Sequence, residues 1–443
     1  MVQNIISTVR DLIWSPPFLG FIILTACVLT VALGFIQVKN FCKSWRLVLG
    51  GDDEDLETGG KGDMSPFQAF LSALSVGIGN GCLAGTATAI FMGGPGAAFW
   101  MFTIGLLAMA LRFAEVFLGV SFAMMNKNSE NVLGGPFLYI KKLPFGKLLA
   151  AIYATACLFY GLTSGNAMQC NSISTALHDV TGISTLIIGV ALSLFVLYIM
   201  LGGAQRIIAF SDAIVPFKVG LFFSSMIIVL IYYWSALIPT TLLIIKAALN
   251  PSAAIGGIAG VTVQRVFAIS ASRSINASES GLGTAAIFYS NTGSKKPYND
   301  GTTSMLSTFI STNVVSTMVA VALVASNVWN SGEDGSVMVV SAYQTVFGVW
   351  GGWIIALLSI SFGMGVFVGY GYIARQCWLY LTNNRFENFF IGLFCLVAFV
   401  GSVVNTESVW AMVDIGVAAC LFINLCALLY FIPYMKENVL NRK

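Results

Sequence analysis

The chain has 443 residues, of which 57% are hydrophobic and only 9% charged (22 Lys+Arg and 19 Asp+Glu), with a formal net charge of +3. A soluble domain carries about 25% charged residues, so soluble globular and disordered chains are both excluded. An outer-membrane barrel is excluded too, because its strands alternate in polarity over ~10 residues, whereas the apolar runs here are long and continuous, so the expectation is an all-α polytopic membrane protein.

Eleven candidate spans follow in order, near 18–38, 67–91, 97–124, 147–177, 183–201, 212–234, 253–290, 303–326, 350–381, 388–404 and 409–433. The first has only Arg10 before it and no small-x-small cleavage site after it, so it is expected to stay as a helix. Two stretches read as extramembranous: the acidic, glycine-rich 50–63, and 327–349, which is expected to hold a short amphipathic helix. One set of loops and the C-terminal tail carry sixteen basic residues, from Lys39 to Lys443, and the opposite set carries Arg10 and Lys246. By the positive-inside rule the N-terminus is then outside and the C-terminus cytoplasmic, which needs an odd number of spans.

Ionisable groups at membrane depth are costly and rare. Arg112, Glu115, Arg265, Arg273, Glu279 and Asp414 are the candidates. Arg112 and Glu115 share a helix face and read as a structural pair near the cytoplasmic end of their span. Asp414 reads as a residue near a span end, and His178, the only histidine, as an interfacial group beside Asp179.

Two spans are interrupted. The second reads SALSVGIGNGCLAGTATAIF over 72–91, with Gly77, Gly79, Gly81 and Gly85 in its middle and Asn80 among them. Glycine costs a helix about 1 kcal/mol per residue relative to alanine. Glycines at spacing four would also suit close helix packing, but an amide in hydrocarbon needs partners. The seventh reads AISASRSINASESGLGTAAIF over 268–288, too polar for a helix facing lipid. With the first helix set aside, ten spans divide into two halves of five, and each half opens on an interrupted helix. Paired broken helices at matching positions point to an inverted-repeat transporter with its site at the midplane. Broken ends expose N–H groups that suit a carboxylate and carbonyls that suit a cation, so the expected ligand is a small zwitterion. A third polar set, Asn166, Gln169 and Asn171, lies in the fourth span and reads either as interhelical hydrogen bonding or as cavity lining.

The strings SPFQAFLSAL (65–74), AGTATAIFMGGPGAAFWMF (84–102) running into RFAE (112–115), GGPFLYI (134–140), GNAMQCNSIS (165–174), SESGLGTA (278–285) and YIARQC (372–377) occur in this order. Over roughly 65–434 the chain resembles the alanine or glycine:cation symporter family, a branch of the amino acid–polyamine–cation transporters. The resemblance implies a ten-helix core of two inverted repeats, about 65–234 and 253–434, preceded over 1–64 by one added helix and its loop, and followed by a tail at 435–443. It also implies small neutral amino acids as substrates, sodium as the coupling ion and a location in the plasma (inner) membrane. It places Gly79, Asn80 and Gly81 at the carboxylate site, Gln169 against the substrate's polar groups, Ala277 and Ser278 in the second break, and Tyr370 where the family has a tryptophan over the substrate side chain, with Met364 on the same wall.

The departures concern the cation. The backbone carbonyls of Ser75 and Ile78 are the implied sodium ligands from the first break, together with two hydroxyls from the ninth span. The matching positions there are Gly365 and Val366, and the family asparagine of the break is Cys82. A hard cation wants oxygen ligands, so Na+ is expected to bind weakly or not at all, unless Asn80, Ser359 or Ser361 supplies an oxygen. The alternatives are a proton-coupled or uncoupled carrier, with Glu279 as the proton site, and a sensor that binds an amino acid without moving it. An enzyme is not expected, because no HExxH, GxSxG or CxxC string occurs. Nor is a nucleic-acid partner expected; the expected partners are the amino acid and the lipid bilayer.

Overall fold

The computed structural model describes residues 14–50, 62–125, 133–249, 263–404 and 406–440, with the side chains of 265 and 406–411 left out. Arg10, most of the acidic stretch 50–63, Lys61, Lys127 and the Arg265 side chain therefore lie outside the described residues.

All regular structure among the described residues is helical. Six helices are long and apolar enough to cross a membrane: α4 (Gly96–Met125), α5 (Gly146–Thr181), α7 (Gly203–Tyr232), α11 (Pro297–Ala325), α13 (Trp350–Thr382) and, within α15 (Thr406–Tyr430), the stretch Met412–Tyr430. A seventh candidate is the bent pair α2 (Pro66–Gly77) and α3 (Gly81–Gly93), which turn by 49° at their junction. Shorter apolar helices complete the bundle: α1 (Pro16–Ala32), α6 (Thr185–Leu201), α8 (Trp234–Leu249), α12 (Gly335–Phe347) and α14 (Glu387–Val403). The chain is thus a multi-pass membrane protein. The second polar interruption falls between α9 (Val263–Ser278) and α10 (Thr284–Ser290).

Local sequence explains the ends. Ser65 caps α2 in a reciprocal box with Gln68, and Pro66 occupies the first turn, where its missing N–H costs nothing. The run 18–38 is expected as one span, but α1 stops at Ala32. Gly34 and Phe35 take left-handed backbone (φ +66° and +59°), and a short helix, Phe41–Val48, follows. A short helix does form within 327–349, but α12 is apolar rather than the amphipathic helix expected. Helix α8 falls where the sequence reading leaves 235–252 between spans. It sits directly against the GGPG turn: a Cβ on Gly96 would lie 2.6 Å from the Ala247 backbone.

Helix α4 packs against α11, α9 and α10, and α13 packs against α5, α7 and α2. The expected Arg112–Glu115 pair is present. It forms at 2.7 Å, buried in the core, where it also braces the second break.

Candidate functional site

The two interruptions face one another. A Cβ built on Gly77 would lie 3.9 Å from the Ala277 carbonyl oxygen. At the first, the carbonyls of the last turn of α2 lose their intrahelical partners, as at any helix end. The Cys82 thiol donates to one of them, Gly77 O, at 3.2 Å. Beyond the break the chain resumes in a wide, π-type turn, Gly81–Gly85. Gly79 is pinned by α13, because a Cβ there would meet Val366 Cγ2 at 2.5 Å. Gly81 differs: a Cβ there would meet nothing within 4 Å, so its backbone borders open space.

Asn80 is buried and finds its partners on α5 and α13. Its Nδ2 donates to Gln169 Oε1 at 3.3 Å and to Ser359 O at 3.2 Å. Gln169 in turn donates to Ser164 O at 3.2 Å, within the π-type turn Thr163–Ala167 of α5. Two residues that the resemblance places at the site thus touch each other. The other amides of α5 act between helices. Asn166 donates to Phe394 O at 2.7 Å, and Asn171 donates to Gly401 O and Val404 O at 3.0 and 2.8 Å.

The second break is held from α4. Glu115 Oε2 accepts the N–H groups of Gly281 and Gly283, each at 2.9 Å, while Oε1 takes the Arg112 guanidinium. Arg112 also donates to the Ser278 carbonyl and to Thr308 Oγ1. Asn424 and Tyr153 donate to Gly281 O and Leu282 O at 2.8 and 2.7 Å. Non-helical backbone inside a membrane protein needs such partners. Glu279, at the apex, has a left-handed backbone (φ +54°), and its carboxyl accepts from two hydroxyls, Tyr370 and Thr284. Tyr370 is fully buried, its ring edge-on to Tyr160 at 5.5 Å and pressed against Gly165. It links the second break to the turn of α5 whose Ser164 carbonyl accepts from Gln169. Ala277 and Ser278 are buried beside it, and Met364 is half-buried.

The residue that the sequence reading misses is Lys218, on α7. It is completely buried. Its ammonium donates to Ser75 O at 2.6 Å and Ile78 O at 2.8 Å and approaches Ser75 Oγ at 3.4 Å. These two carbonyls are the ones expected to face a sodium ion. The signal was present in the sequence, as a lone lysine in the apolar run IVPFKVGLFF (214–223). Ser359 and Ser361 are otherwise engaged, their hydroxyls donating to Ser172 O at 3.4 Å and Leu358 O at 2.9 Å. Farther out, Arg273 meets Asp414 at 3.6 Å, and His178 Nδ1 sits 2.9 Å from Ile183 O at an exposed end. Two surface cavities, about 500 and 580 Å³, lie near Lys295 and Glu437 and near Lys141 and Asn383, and neither is lined by a residue of the breaks.

A family model described as the sodium:alanine symporter family matches residues 1–441. An uncharacterized transporter of Haemophilus influenzae is 32% identical, over 97% of this chain and 93% of its own length. The sodium/alanine symporter AgcS of Methanococcus maripaludis is 29% identical, over 96% and 94%. The probable sodium/glutamine symporter GlnT of Bacillus subtilis is 26% identical, over 97% and 88%.

Proposed function

The chain belongs to the sodium:alanine symporter family, a family of transporters and not of enzymes, and from that premise we propose that it carries small neutral amino acids such as alanine, glycine and serine across the plasma membrane by alternating access. The observation that carries this reading is the apposition of the two breaks, with Asn80 of the first joined to Gln169 of α5 and open space beside Gly81. In this reading the amides near Gly79 and Gly81 take the substrate carboxylate. Gln169 and neighbouring carbonyls take the ammonium, and Ala277, Ser278 and Tyr370 bound the side chain. The core is two inverted repeats of five spans preceded by one extra helix. Its support is the position of an interrupted helix at the start of each half.

The N-terminus lies outside and the C-terminus in the cytoplasm. Besides the basic bias, the loops that carry it meet at one end of the bundle: Lys43 reaches Asn299 at 3.1 Å, and Gly134 bonds Asn291 at 3.1 Å. Sodium dependence is weak or absent, because Gly365 and Val366 offer no side-chain oxygen. The test is counterflow of a labelled amino-acid panel in proteoliposomes. Alanine, glycine and serine exchange faster than leucine or lysine. Preference for lysine overturns the selectivity and recasts Glu279 as a substrate carboxylate. Binding without counterflow makes the protein a sensor.

A further inference from the structure

We propose that the cavity where the ends of α4 and α13 meet the start of α5 is a binding site for an anionic phospholipid, whose phosphate meets Lys141, Lys142 and Lys147 while an acyl chain follows the apolar wall beside them. Its place in the cytoplasmic leaflet rests on the orientation read from the basic loops, and nothing in it depends on which solute is carried.

The cavity has a volume of about 580 Å³. Lys141, Lys142 and Lys147 enter it from the segment that joins α4 to α5, and Tyr380, Asn383 and Asn384 from the end of α13. No acidic side chain lines it, and among the described residues none of the three lysines forms an ion pair. The positive charge gathered there is therefore unanswered by the protein. Lys141 Nζ lies 4.6 Å from the centre of the Tyr380 ring, which is itself stacked on Phe137 at 4.5 Å, so the two rings hold one ammonium at the rim. Lys147 is the second residue of α5. A cation in the first turn opposes the positive end of the helix dipole, so helix stability does not account for it, and an anion beside it relieves both. Asn383 and Asn384 take left-handed backbone (φ +53° and +62°) in the turn that ends α13, and their side-chain amides have no protein partner among the described residues. Each offers two N–H donors to phosphate oxygens.

The other wall identifies the rest of the ligand. Phe122, Leu133, Leu138 and Leu379 line it. Phe145 and Leu148, on either side of Lys147, are 85% and 62% exposed. Large apolar side chains interleaved with ammonium groups match the boundary between headgroups and hydrocarbon. A soluble anion would answer the lysines and leave this wall in water, whereas a phospholipid answers both. Basic pockets between spans on the cytoplasmic side suit anionic headgroups, which the inner leaflet holds at its surface. A lipid seated here bridges α13, which carries Tyr370, and the segment whose Gly134 bonds Asn291 just past the second break. Binding to the folded state alone also stabilises it by mass action.

The experiment is native mass spectrometry of the purified full chain in detergent, supplied with phosphatidylglycerol or phosphatidylcholine, together with a thermal-unfolding scan. Wild type retains phosphatidylglycerol over phosphatidylcholine by roughly tenfold or more, and phosphatidylglycerol raises its thermal midpoint. A lysine at an anionic membrane surface contributes about fivefold in affinity. Lys141→Gln with Lys142→Gln and Lys147→Gln therefore weakens phosphatidylglycerol binding on the order of a hundredfold. Lys39→Gln with Lys295→Gln and Lys436→Gln removes the same charge from exposed positions elsewhere in the basic loops and tail and leaves binding unchanged. Lys141→Arg with Lys142→Arg and Lys147→Arg keeps it. The proposal is overturned if wild type shows no headgroup preference, a measurement that needs no variant to fold. It is equally overturned if both glutamine triples lose the lipid alike, which makes the attraction one of net charge. Displacement of phosphatidylglycerol by excess inorganic phosphate, with the same rise in midpoint from phosphate alone, also overturns it and leaves a site for a soluble anion. None of these readouts needs transport, so a chain that carries no neutral amino acid in counterflow sinks the reading of the substrate and not this site.

Discussion

Glu115 is the support of the second break, and its removal should be felt more than that of any other single side chain there. In Glu115→Ala the N–H groups of Gly281 and Gly283, each 2.9 Å from Oε2, lose their acceptor, and Arg112 loses its carboxylate at 2.7 Å. An unsatisfied buried donor costs about 1–3 kcal/mol, and a buried charge stripped of its partner about 3–5 kcal/mol. Together the losses are on the order of 5–10 kcal/mol, comparable with the whole stability of a typical domain. Glu115→Ala should therefore fail to yield monodisperse protein in detergent. Glu115→Gln keeps one carbonyl oxygen, enough for the glycine amides or for Arg112 but not both, so it should fold with a clearly lowered thermal midpoint. The assay is size exclusion in detergent followed by a thermal-unfolding scan. An unchanged midpoint in Glu115→Ala would show that the break holds itself and would refute the assignment of Glu115 as its brace.

Gly165→Ala should abolish uptake. Its Cβ would sit well inside contact distance of the Tyr370 ring, which is locked by Tyr160 and Glu279; overpacking of this kind costs about 1–3 kcal/mol. Wild-type uptake in Gly165→Ala would mean that the ring moves freely. Gln169→Ala should weaken alanine binding about five- to 150-fold, the value of ~1–3 kcal/mol for one buried partner. Because Gln169 Oε1 accepts from Asn80, the loss should be non-additive with Asn80→Ala in a double-mutant cycle read by alanine affinity; strict additivity would dissolve the pair. For topology, a cysteine placed at Thr58 should resist an impermeant thiol reagent applied to whole cells, and labelling from outside would invert the orientation.

Both breaks were legible in the sequence because their chemistry is local: glycines at 77, 79, 81 and 85 disfavour a helix, and the serines between 270 and 280 cannot face lipid. The Arg112–Glu115 pair was legible from its spacing, but its task was not, since the backbone it holds lies more than 160 residues away. Tyr370 and Glu279 were each singled out separately. Their hydrogen bond joins residues 91 apart in the chain, and no periodicity carries that information. Helix α8 was missed because Pro239 and Pro251 interrupt the sequence on either side of a short apolar stretch just past a span. Lys218 was missed for a different reason: the loss of oxygen ligands was sought at Gly365 and Val366 themselves, while the group that fills the space comes from another helix.

The central claim is that the two breaks bind a small neutral amino acid, and that Gly365 and Val366 leave sodium too few oxygens to couple to it. It is tested most directly by the alanine affinity of the purified protein, titrated with sodium against choline at fixed pH and ionic strength. An affinity that stays flat across the sodium titration is the predicted result; a saturable tightening at millimolar sodium would contradict it.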